Sequence, residues 1–259
     1  KDIKIGNPVY VEETFVLISK IAQDVLNMNY KFVFFTYAVF SFIFINLIMQ
    51  KLEIKKYKFW IFILSFIAFC LTPYLNAMRQ FLASAIFVYS LLLFNEKKYL
   101  KTFALMIIAG LIHNSAFILI LFFPIFSDKV KFGNKMKIII PFLAILLGNT
   151  SIIQNFVLFI LQKLNLGYTN YITDASDAGL TNSGLLIYLL YVVYALQLNL
   201  KKKDSEKYDN IIEKGEMLFF VTFFATQGLG FARRISYFFM IFECFVFITL
   251  LKCTNEPKN

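Results

Sequence analysis

Histidine occurs once in these 259 residues, at His113, and arginine three times, at Arg79, Arg233 and Arg234. A lone histidine with no cysteine cluster beside it excludes the usual zinc ligand sets, so no metal is expected. Cys70, Cys244 and Cys253 are odd in number, lie in or beside hydrophobic runs, and form no disulfide or metal spacing. No P-loop, glycine-rich dinucleotide turn, Ser-His-Asp arrangement or paired-histidine motif is present, so no nucleotide or other cofactor is expected. Charge is scarce as well. Only 16% of residues are charged, against about 25% in soluble domains.

What fills the chain instead is apolar. The sequence is 59% hydrophobic and 19% aromatic, with mean hydropathy +0.68, and apolar runs recur from Phe32 to Leu251. The runs are continuous rather than alternating, which excludes a membrane barrel. The expected fold is all-α, a polytopic transmembrane helical bundle of about seven to nine membrane segments forming one integral domain over 1–259. The net charge of +10 comes from lysines in short loops, where they set orientation by the positive-inside rule. It does not imply nucleic-acid binding. The chain begins at Lys1 rather than Met, so it is expected to be a fragment lacking its N-terminus.

In chain order, residues 1–31 read as an external amphipathic segment, with Phe15, Ile18, Ile21, Ala22 and Val25 near three-four spacing. A transmembrane bundle follows over 32–251. The first span covers about Phe32–Gln50 and ends in the lysine-rich KLEIKKYK. A second, about Phe59–Thr72, stops at Pro73, where a helix readily breaks. A third begins near Asn76 and runs to Phe94. Thr102–Phe126 is long enough to span, and Ile138–Gly148 and Ser151–Leu164 are short apolar pieces. Residues 165–182 carry Asp174 and Asp177 but no lysine or arginine, so they read as an external loop with Tyr168 and Tyr171. Ser183–Leu200 spans, 201–216 is a cytoplasmic loop, and Met217–Gln227 and Ile235–Leu251 are the last spans.

The rare ionisable groups carry the functional argument, because charge at membrane depth is expensive. Lysine serves nearly every loop, whereas the three arginines stand at expected external helix ends. Arginine's planar fork binds phosphate or carboxylate bidentately and stays charged when partly buried. An anion site is one reading; snorkelling or structural ion pairing is the other. His113 lies in a hydrophobic segment with no other ionisable group. It suits a general base or proton carrier oriented by Asn114 and Ser115, or a neutral histidine bonded to a backbone carbonyl. Glu12 and Glu13 are candidate carboxylates or a solvated helix terminus. Arg233 and Tyr237 can share a helix face. The remaining phenylalanines and tyrosines read as membrane packing.

The stretch NAMRQFLASAIFVYSLLLF…GLIHNSAFILILFFPIF resembles the EpsG/Wzy-like family of bacterial polysaccharide polymerases. The resemblance rests on Arg79-Gln80 with Ala83, and on His113 with Ser115-Ala116 about thirty residues later. Upstream, VEETF is similar to the family's Glu-x-x-Phe stretch, with Glu12 in the acidic position. Downstream, ARRISYFF resembles its late Arg…Tyr-Phe helix and involves Arg234 and Tyr237. The family usually has a further N-terminal span that this chain does not show.

The resemblance implies a multi-pass protein of the bacterial cytoplasmic (inner) membrane. It would join undecaprenyl-diphosphate-linked repeat units into O-antigen, capsule or exopolysaccharide, a glycosyltransferase-type reaction. Arg79 and Arg233/Arg234 would stabilise the diphosphate leaving group, and His113 or Glu12 would deprotonate the acceptor hydroxyl. Gln80, Ser115, Tyr237 and Asn76 would bind substrate. A chain-length regulator and a flippase are the implied partners beside the lipid bilayer. The competing class is a flippase or other transporter, against which no internal repeat is seen. If the lysine-rich stretches flanking the His113 segment lie on one side, that segment must re-enter or break near Gly110–Asn114; the family pattern favours a simple crossing.

Overall fold

In the computed structural model the residues described are 13–54, 56–148, 155, 159, 182–200, 208–226 and 234–255, and among them no strand occurs. The helices are α1 (Glu13–Lys20), α2 (Tyr30–Lys51), α3 (Lys56–Ser65), α4 (Leu71–Asn76), α5 (Met78–Asn95), α6 (Tyr99–Ile112) and α7 (Phe123–Phe126). They continue as α8 (Asn134–Gly148), α9 (Asn182–Leu200), α10 (Asp209–Ala225), α11 (Arg234–Tyr237), α12 (Met240–Glu243) and α13 (Val246–Asn255). The chain is all-helical, as its continuous apolar runs require. It divides into two compact units, Lys1–Ile48 with Ala77–Phe122, and Met49–Asn76 with Phe123–Asn259.

Three helices are long and apolar enough to cross a membrane: Lys31–Lys51, Tyr57–Asn76 and Met78–Asn95. Shorter apolar helices cover Tyr99–Ile112, Asn114–Phe126, Leu186–Leu200 and Met240–Leu251. The expected seven to nine segments therefore reduce to three that qualify by length among the described residues. The α2 surface displays Phe35, Phe40, Phe42 and Ile43, exposed apolar groups whose natural solvent is lipid. This is a membrane protein.

In the first unit α5 is the inner helix. Its membrane window is 72% buried against 33% for α2, and the small residues Ala83, Ser84 and Ala85 are fully buried, which lets neighbouring backbones approach closely. α5 turns directly into α6 through Glu96–Lys98. Lys97 takes φ +60° there, and the Lys97 and Lys98 N–H groups donate to Phe94 and Leu93 carbonyls, closing the helix end left-handedly. Ala77 (φ −138°) separates α4 from α5. Asn76 thus ends α4 rather than opening the third helix as expected.

The second unit holds two further departures from expectation. Helix does not stop at Pro73: α3 runs through a π-turn at Phe66–Cys70 into α4. Proline lacks an N–H and crowds the carbonyl four residues earlier, and the wider turn upstream accommodates it. Residues 209–216 are not loop either; Asp209–Glu216 form the largely buried first half of α10. That helix packs on α8 so closely that a Cβ on Gly148 would collide with the Phe224 carbonyl oxygen, which only glycine permits. The expected last span breaks into α11, α12 and α13 at turns around Phe238 and Cys244. The pieces 149–154 and 165–181, with Asp174, Asp177, Tyr168 and Tyr171, lie outside the described residues.

Candidate active site

Arg79 and the helix turn that leads to His113 both meet α1. Arg79 is the second residue of α5, and its guanidinium carbon lies 4.9 Å from the Phe15 ring centre. A cation over an aromatic face is held electrostatically, so Phe15 fixes the direction of the arginine fork. Arg79 also stands in the first turn of an 18-residue helix, where backbone N–H groups lack intrahelical acceptors and the dipole favours anions. Fork and helix terminus are chemistry that suits an anion.

Thr14, beside Phe15, donates its hydroxyl to the Leu111 carbonyl at 2.7 Å. That carbonyl belongs to the last turn of α6, which has no helical partner for it. Two residues on, His113 ends α6 in an extended conformation (φ −150°, ψ 106°). Its N–H donates to the Ala109 carbonyl at 2.9 Å, and its own carbonyl accepts the Ala116 N–H at 2.8 Å. The dipeptide Thr14-Phe15 thus joins the Arg79 helix start to the His113 helix end within one unit.

The simple crossing expected for Thr102–Phe126 is corrected here. The chain breaks at His113 and continues as a 3-10 helix, Asn114–Phe122, which folds back on α6. The Phe117 ring occupies the place that a side chain on Gly110 would take. A straight helix would hold residues 110 and 117 two turns apart. The histidine is half-buried at the corner of this hairpin, while Ser115 is exposed and Gln80 is buried.

The other sequence candidates fall elsewhere. Asn76, Arg234 and Tyr237 belong to the second unit: Asn76 is exposed at the end of α4, Arg234 is exposed at the start of α11, and Tyr237 is half-buried on the same short helix. Glu12 and Arg233 lie outside the described residues.

Sequence reasoning overlooked a buried polar network in the second unit. Lys137 of α8 pairs with Glu213 of α10, both side chains about 5% exposed. Glu216 accepts from Gln197 Nε2 at 2.9 Å and Thr249 Oγ1 at 3.0 Å. Lys214 Nζ donates to the Ser127 carbonyl at 2.9 Å; burial lowers its pKa to about 8, with Asp128 opposing and Lys137 adding to the shift. Asp209, Glu213 and Glu216 recur at helical spacing, a signal present in the sequence but masked by four charges within eight residues. Cys70 and Cys244, 174 residues apart, are free thiols with Sγ atoms 3.3 Å apart, a proximity no sequence spacing announced.

No curated protein and no solved structure matches the chain. The EpsG family profile matches residues 2–259, effectively its whole length. The chain belongs to the EpsG family, a Wzy-like family of polysaccharide polymerases.

Proposed function

We propose that the protein polymerises lipid-diphosphate-linked glycan repeat units in the bacterial cytoplasmic membrane, as a multi-pass protein. The observation that carries this reading is the Thr14-Phe15 junction, which holds Arg79 at a helix N-terminus and ties it to the helix end at His113. In the reaction, an acceptor sugar hydroxyl attacks the anomeric carbon of the growing chain. The bond to the undecaprenyl diphosphate breaks and its oxygen leaves with the electron pair. Arg79 neutralises the charge that develops on the diphosphate. His113 or Glu12 takes the hydroxyl proton. Gln80 and Ser115 orient sugar and phosphate. The product is O-antigen, capsule or exopolysaccharide, made beside a flippase and a chain-length regulator.

Glycan profiling of a host deleted for the gene tests this reading. Surface glycan carrying single repeat units, with long chains restored by the wild-type gene, is the expected result. Glycan missing from the surface, with lipid-linked units trapped inside, would assign the protein to the flippase class.

A further inference from the structure

The first unit contains a cavity of about 200 Å³ between α1, the π-turn Ile21–Val25 and the start of α2. Two aromatic residues, Phe15 and Phe34, and three neutral polar ones, Ser19, Gln23 and Asn29, line it beside the buried Ala22. No lining residue is charged. We infer that this cavity is a subsite for a single sugar ring, the one attached directly to the lipid diphosphate. The inference rests on the polymerase reading, which it deepens by giving the first sugar a place.

The lining decides the ligand class. An alkyl chain asks for aliphatic walls, whereas Val33 is the sole branched aliphatic residue here. A sugar ring presents an apolar C–H face and an equatorial belt of hydroxyls. Aromatic faces suit the first, and hydroxyl and amide groups suit the second. Size decides the count: drug-sized ligands fill about 300–1,000 Å³, so this volume takes one ring and no disaccharide.

Position decides which ring. Phe15 is a wall of the cavity and also the ring beneath Arg79. With a diphosphate on the Arg79 fork, the sugar esterified to it is the next group along the ligand, and the cavity shares the Phe15 wall with that fork. The α2 span begins at Lys31, two residues after Asn29, which puts the subsite at the end of a membrane span where a lipid headgroup resides.

The local backbone is built to hold it. Asn27 adopts φ +50°, a left-handed conformation that asparagine tolerates better than most residues. The Met28 N–H donates to the Ala22 carbonyl at 2.7 Å, tying the turn down. Asn29 Oδ1 accepts the Lys31 N–H at 3.0 Å, which orients that amide and leaves its Nδ2 donors for a ligand.

The test is saturation-transfer NMR on the full chain in lipid nanodiscs with a panel of methyl pyranosides: gluco, galacto, manno and the N-acetylhexosamines. At least one should bind, and Gln23→Leu and Ser19→Leu should each weaken it about tenfold, the scale of one lost hydrogen bond. Circular dichroism and the unfolding temperature identify any variant that has lost its fold, leaving the other to decide. No binding by any panel member, or equal binding by both folded variants, overturns the subsite. So does a photoreactive hexadecyl chain that labels Phe15 and is not displaced by the sugars. These results leave the polymerase reading intact; that reading falls instead if deleting the gene leaves glycan chain length unchanged.

Discussion

Phe15 lies under Arg79, its ring centre 4.9 Å from the guanidinium carbon, although 64 residues separate them in sequence. The contact joins the acidic-aromatic stretch near the N-terminus to the start of α5, two of the stretches on which the chain resembles its family. Phe15 is therefore more than membrane packing, and its replacement by an aliphatic residue should matter. A cation–π contact is worth about 0.5–2 kcal/mol. Phe15→Leu should lower chain-extension activity about two- to thirty-fold if the contact acts in the transition state, whereas Phe15→Trp should retain it. Wild-type activity in Phe15→Leu would show that the ring does not hold the fork.

The hairpin at His113 makes a second prediction. A methyl group on Gly110 would collide with the Phe117 ring, so Gly110→Ala should destabilise the protein by about 1–3 kcal/mol, the cost of overpacking. Adding Phe117→Leu should recover part of that loss. The unfolding temperatures of the single and double variants in nanodiscs decide it; a neutral Gly110→Ala would mean that the chain does not fold back here.

The Lys137–Glu213 pair is buried on both sides, so removing one partner strands a charge. Lys137→Met alone should cost about 3–5 kcal/mol, and Lys137→Met with Glu213→Leu should recover most of it. Denaturant titration of the four proteins in a double-mutant cycle reads the coupling directly. Additive effects would contradict a buried pair.

Lys214 gives a pH dependence. Its pKa falls from the ordinary value of 10.5 to about 8 in the folded protein, chiefly because burial disfavours the charged form. Below pH 8 the group is protonated in both states, and the folded state bears the full penalty. Between pH 8 and 10.5 the folded protein sheds the proton first, so the unfolded state binds more protons and stability from this group rises with pH. Unfolding of wild type should show that rise against Lys214→Met, from which it should be missing. Parallel curves would contradict the shift.

The sequence made the helical class and the membrane setting plain, because continuous apolar runs admit few other solutions. It also singled out Arg79 and His113 by rarity alone. Other features depended on distant partners. DNIIEKGE reads as a solvated loop until Lys137, Gln197 and Thr249 supply partners from other helices. The break at His113 follows from how Phe117 fits Gly110, and periodicity carries no trace of that fit. Pro73 reads as a stop, yet the π-turn before it lets the helix continue. Phe15 is one phenylalanine among 33, and nothing local distinguishes it from the rest.

The central claim is that the Arg79 fork, rather than positive charge alone, holds the diphosphate. Arg79→Lys keeps the charge and loses the planar, bidentate geometry. Expressed in the deletion host at wild-type membrane abundance, it should leave glycan as single repeat units, as Arg79→Ala should. Glycan chains of normal length in Arg79→Lys would contradict the account.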